Sequence, residues 1–159
     1  MGATSGIGRE LAQLYIAAGH KVGVTGRLTE LVAQLGDLDL LIVSAGVGQL
    51  NPGLTWELEQ QVIATNVLGF TQIVDFGFNY FKSRGSGHLA AITSIAAIRG
   101  DRGEPAYNAS KAYQANYLEG IRKKAVKEKI KLTVTDLQPG FVDTAMAQGE
   151  GPVLGTVGQ

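Results

Sequence analysis

The chain has no cysteine. That excludes a disulfide framework, thiolate catalysis and a cysteine zinc site. It has two histidines, His20 and His88, which are far apart and carry no metal-ligand spacing; both read as surface or strand-edge residues. Neither sign of charge is in excess, since 14 basic and 14 acidic residues give a net charge of zero. No basic patch points to nucleic acid. The dense cationic run Arg122-Lys123-Lys124, with Lys127, Lys129 and Lys131, reads as a solvated face that complements a helix carboxyl end. No apolar stretch approaches the ~18 residues that span a bilayer, so no membrane segment is expected. The amino end reads as a glycine-rich loop and a helix rather than a secretion signal, and a cytoplasmic location is the default expectation. What is abundant is glycine, 22 in 159 residues. That length suffices for one domain with a real core.

The chemistry-bearing stretch is Ile92-Thr93-Ser94 followed by Tyr107-Asn108-Ala109-Ser110-Lys111. Tyr107 and Lys111 are four residues apart, so on a helix they share one face. An ammonium beside a phenol favours the phenolate and is expected to lower the tyrosine pKa. A proton carrier needs that shift, because a free phenol near pKa 10 works poorly at neutral pH. The run His88–Thr93 reads as a buried parallel strand. Ser94 follows its carboxyl end, where open α/β sheets place ligands. A tyrosine–lysine pair alone is common on surface helices, so the rest of the chain must decide.

The chain opens Gly2-Ala3-Thr4-Ser5-Gly6-Ile7-Gly8, and Ile7, Leu11, Leu14, Tyr15 and Ala18 then recur at helical spacing. Glycines let a backbone approach a pyrophosphate, and a helix start offers free N–H groups. Gly19-His20 closes that helix, and Lys21–Arg27 reads as a second strand. Residues 29–35 make one helix closed by Gly36, and Leu38–Val43 a buried strand leading into Ser44-Ala45-Gly46. Thr55–Phe81 reads as one long amphipathic helix containing Asn66. A helix from Tyr107 to about Lys127, a strand at Leu132–Leu137 and a Pro139-Gly140 turn follow. Residues 145–159 show no period.

Taken in order from Gly2 to about Thr144, these motifs resemble the short-chain dehydrogenase/reductase family. The resemblance implies an α/β fold, a doubly wound, Rossmann-like parallel sheet in three αβα layers. It implies an alcohol–carbonyl oxidoreductase with a small-molecule substrate, with Asn66, Ser94, Tyr107 and Lys111 as the catalytic set. Cofactor contacts would come from Gly2, Ser5, Gly6, Ile7, Gly8, Arg27, Ala45, Gly46, Tyr107, Lys111, Pro139, Gly140, Val142 and Thr144. Arg27 stands where an acid would favour NAD, and a guanidinium pairs a 2′-phosphate, so NADP(H) is expected over NAD(H). In the family the helices matching Thr55–Phe81 and Tyr107–Lys127 pair between subunits, which implies a homodimer or homotetramer. A non-catalytic nucleotide-binding or scaffolding protein of the same fold is the alternative.

The chain departs from the pattern in places. Val43 and Ser44 replace two asparagines, removing a hydrogen-bonded tie between strands. A first strand, a block near 27–36 and a carboxyl-terminal segment have no counterpart here. Joined pieces of a longer protein are therefore expected, marked by a Cα separation well above ~3.8 Å somewhere from Arg27 to Gly36.

Overall fold

The computed structural model describes residues 2–3, 5–24 and 28–142. In chain order the elements are α1 (Gly6–Ala17), α2 (Leu28–Leu35), β1 (Leu40–Val43), α3 (Trp56–Ile63) and a π-helical turn (Ala64–Gly69). Then come α4 (Phe70–Arg84), β2 (Ser86–Ile92), a 3-10 turn (Ile95–Ile98), α5 (Pro105–Lys127) and β3 (Lys131–Leu137). The strands form one parallel sheet in the order β1-β2-β3, with Leu40 opposite His88 and Ser86 opposite Lys131. Parallel pairing requires helical crossovers, and it brings all three carboxyl ends to one edge.

Side chains alternate across a strand. Leu41 and Val43, Leu89 and Ala91, and Val134 thus face one side. There they pack on Phe70, Ile73, Val74, Phe78 and Phe81 of α4 and on Leu118, Ile121 and Ala125 of α5. Burying these side chains contributes about 1.5–3 kcal/mol for each large one. This core fixes α4 and α5 against the sheet. The arrangement is the Rossmann-like parallel α/β fold expected, carried by three strands among the described residues.

Several expectations are corrected. Residues 21–24 of the expected second strand form no ladder; 25–27 lie outside the described residues. A β-patterned run becomes a strand only when a neighbour takes its backbone groups, and no described strand pairs with this one. The single helix over Thr55–Phe81 is instead α3, the π-helical turn and α4, continuing to Arg84. α5 starts two residues before Tyr107, because Pro105 fits the first helical position. His88 belongs to the central strand, not an edge, and bonds Thr135 Oγ1 at 2.9 Å. α2 closes with Gly36 N–H to Val32 O at 3.0 Å. No helix among the described residues is long and apolar enough to cross a membrane.

Candidate active site

The loops that follow β1, β2 and β3 meet at the carboxyl edge of the sheet. Ile95 N–H donates to Pro139 O at 3.1 Å, and Asn51 N–H to Gly103 O at 2.7 Å. Ser94 caps the 3-10 turn, its Oγ accepting from Ala96 N–H at 3.1 Å. Asn108, on α5, donates through Nδ2 to Ala96 O and Arg99 O, at 3.2 and 2.9 Å. The loop bearing Ser94 is thereby tied to the helix bearing Tyr107.

Tyr107 and Lys111 share the sheet-facing side of α5. The lysine Nζ lies 5.6 Å from the centroid of the tyrosine ring, a cation–π distance. It also donates to Gln114 Oε1 at 3.2 Å and to Ile92 O at 3.4 Å. Lys111 is 5% exposed, and burial lowers its pKa to about 8, partly offset by the charge of Asp136. Tyr107 behaves otherwise than the spacing suggested. Burial raises its pKa above the ordinary phenol value. Hydrogen bonding with Ser94 acts in the lowering direction, and the nearby charge of Glu104 raises it further. Lys111 adds no lowering: burial brings the lysine to about 8, below the raised phenol, so it has given up its proton before the phenol titrates, while near neutral pH it is still an ammonium over the ring.

Asn66 is fully buried within the π-helical turn, a distortion common at functional sites. Its side chain clamps the loop after β1: Oδ1 accepts from Val47 N–H at 2.9 Å, and Nδ2 donates to Val47 O at 2.7 Å and Ser110 Oγ at 3.0 Å. That loop runs against the site. A Cβ built on Gly46 would lie 3.4 Å from Lys111 Nζ, and one on Gly48 only 2.7 Å from the Tyr107 ring.

The glycine turn packs on the same loop. Gly2 has φ +77°, and a Cβ there would fall 2.4 Å from Ala45 N; one on Gly8 would fall 2.1 Å from Gly2 O. Glycine is required at both points. Ser5 precedes α1 and makes no side-chain cap bond among the described residues; a helix start of this kind presents N–H groups that suit an anion. Of the residues expected around a cofactor, Gly2, Ser5, Gly6, Ile7, Gly8, Ala45 and Gly46 lie in the glycine turn, the start of α1 and the loop after β1, Tyr107 and Lys111 lie on α5, Pro139 and Gly140 lie against Ile95, and Val142 is an exposed residue after β3. Arg27 and Thr144 lie outside the described residues. Sequence reading passed over Ser110, Asn108 and Gln114; their signal was a polar residue at helical spacing from Lys111 or Tyr107 on a face that is otherwise apolar.

Residues 28–153 match the short chain dehydrogenase family. An uncharacterized oxidoreductase of Myxococcus xanthus is 34% identical over 76% of this chain and 47% of its own length. An uncharacterized oxidoreductase of Mycobacterium tuberculosis is 30% identical over 91% of this chain and 72% of its own length. The chain therefore spans about half of one relative and nearly three quarters of the other. A short chain dehydrogenase from Burkholderia cenocepacia, solved in complex with NADP, superposes with a TM-score of 0.79 at 24% identity, covering 96% of this chain and 74% of that one. That likeness speaks for the fold, and the sequence matches speak for descent: the chain belongs to the short chain dehydrogenase family.

Proposed function

We propose that the chain is an NADP(H)-dependent oxidoreductase that interconverts an alcohol and a carbonyl, with Tyr107 giving the proton in reduction and taking it in oxidation. The observation that carries this reading is the meeting of Tyr107, Lys111 and Ser94 at the carboxyl edge of the sheet, beside the glycine turn. A bound nicotinamide cofactor supplies the hydride. Ser94 Oγ accepts from Ala96 N–H and bonds with the Tyr107 hydroxyl; its proton would turn from the phenol to a substrate oxygen. As negative charge grows on that oxygen, the Tyr107 hydroxyl hands over its proton. The Lys111 ammonium stabilises the phenolate left behind. Asn66 holds the loop after β1 in place.

The residues fit the cofactor. The glycine turn and the start of α1, with Gly2, Ser5, Gly6, Ile7 and Gly8, would receive the phosphates. Ala45 and Gly46 would line the nucleotide, and Pro139, Gly140, Val142 and Thr144 the nicotinamide end. Arg27 would pair a 2′-phosphate. Arg27→Ala is then expected to raise the KM for NADPH by roughly 10- to 100-fold, the worth of a charge-assisted pair, while the KM for NADH stays put. Equal loss with both cofactors rejects the preference.

Gly48→Ala is expected to push the Tyr107 ring out of line and lower turnover by roughly 10- to 100-fold, with cofactor affinity little changed. Unaltered turnover would mean that the loop can retreat. Subunit pairing is assigned to the outer faces of α5 and of the π-helical turn that leads into α4, where Tyr113 and Leu68 are exposed; light scattering after size exclusion reads it as two or four chains. The activity itself is tested by consumption of NADPH against a panel of aldehydes and ketones. Consumption with a subset supports the assignment. Cofactor binding without consumption by any carbonyl favours the non-catalytic alternative.

A further inference from the structure

Lys111 must keep its ammonium in one place, and α5 supplies a group for that task. Gln114 lies three residues beyond Lys111 on the same helical face and is 1% exposed. Its Oε1 accepts from Lys111 Nζ at 3.2 Å, and its Nε2 donates to the backbone O of Asn66 at 2.8 Å. An ammonium only donates and a carbonyl only accepts, so the amide can sit in one orientation alone. A buried amide is costly unless paired, and an apolar side chain of similar size would fill the volume as well. Here both ends of the amide are used, and both partners belong to the site.

The other groups around Lys111 do not do this. Ile92 offers a carbonyl from β2 at 3.4 Å, the Tyr107 ring lies 5.6 Å away, and Asp136 acts from β3 by charge. The loop after β1 and the π-helical turn bring Gly46 and Asn66 near Lys111, neither of them titratable. Gln114 is the side chain that joins Lys111 to the Asn66 backbone. An amide has no titratable proton at working pH, so it orients the ammonium without exchanging a proton with it.

We propose that Gln114 is the positioning residue of this site: its carbonyl holds the Lys111 ammonium over the Tyr107 ring, and its amide nitrogen anchors that hold on the Asn66 backbone. The kinetic part of the test rests on the reductase reading above; the spectroscopic part does not. The full chain would be prepared with 13C-labelled lysine, and Lys111 titrated by NMR in wild type, Gln114→Leu and Gln114→Glu. A carboxylate at this point favours the ammonium, and a hydrocarbon removes its acceptor. Gln114→Glu is therefore expected to move the titration upward from about 8 and Gln114→Leu downward, by roughly one pH unit each. The alkaline limb of the pH–rate profile should follow in the same directions, and Gln114→Leu should lose roughly 10- to 100-fold in turnover. Two folded variants that titrate as the wild type, differing only in melting temperature, would make Gln114 a core filler and overturn the proposal. Gln114→Met keeps the volume and replaces the leucine variant if that one does not fold. A wild-type chain without reductase activity sinks the proposed function, while the NMR titration still decides on Gln114.

Discussion

Lys111→Met is expected to lower carbonyl reduction by roughly 10²- to 10³-fold, the usual cost of losing one preorganised charge stabiliser. It is also expected to change how stability depends on pH. Burial brings the lysine from its ordinary 10.5 to about 8. Between those values the unfolded chain holds a proton that the folded chain has released. Stability from this group therefore rises with pH from about 8 to 10.5. The rise is on the order of 3 kcal/mol for an undiluted shift of this size. Tyr117 acts the other way above its ordinary value of 10, because burial and Asp75 push it up to about 12. The wild type should thus gain stability from pH 8 toward 10 and lose it beyond. In Lys111→Met the gain should vanish and the loss remain. Urea unfolding at a series of pH values reads both limbs. A gain that survives the substitution would mean that Lys111 titrates as an exposed lysine.

Tyr107→Phe should abolish the proton transfer and leave the rest. The ring that meets Gly48 and Lys111 is kept, so fold and loop are expected to stay. Turnover should fall by roughly 10²- to 10⁴-fold, the range of a general acid. Cofactor affinity, read by nucleotide fluorescence titration, should change by less than about fivefold, since one hydroxyl contact is worth about 1 kcal/mol or less. Matching losses in affinity and turnover would make Tyr107 a binding residue rather than the proton donor. The raised tyrosine pKa, with Ser94 pulling down and Glu104 pushing up, adds a sign. Glu104 is the group whose removal should make the phenolate easier to form.

Much of this was legible from residues alone, and the failures have physical reasons. The runs 38–43, 88–93 and 132–137 are too short for buried helices and too apolar for loops, and all three hold strands. The tyrosine–lysine spacing put both side chains on one helical face. It could not say where the four-carbon lysine stem would end. In the fold the Nζ is buried against a ring face, Ile92 O and Gln114, which brings the lysine below the tyrosine, so no lowering of the phenol follows. The π-helical turn at Ala64–Gly69 escaped notice because one extra residue in a helix leaves no mark on composition. The strand expected from Lys21 does not form over 21–24, because no described strand takes its backbone groups. Gln114 was hidden by its type, since a glutamine on a long helix reads as solvent-facing until burial shows otherwise.

A label-transfer measurement tests the hydride and proton roles most directly. Wild-type chain would be given NADPH deuterated at the transferable position with the carbonyls of the panel, and the alcohols examined by mass spectrometry. Deuterium on the carbinol carbon of a product, made by the wild type and not by Tyr107→Phe, is the predicted result. Cofactor that binds the wild type yet leaves every carbonyl unlabelled would contradict it.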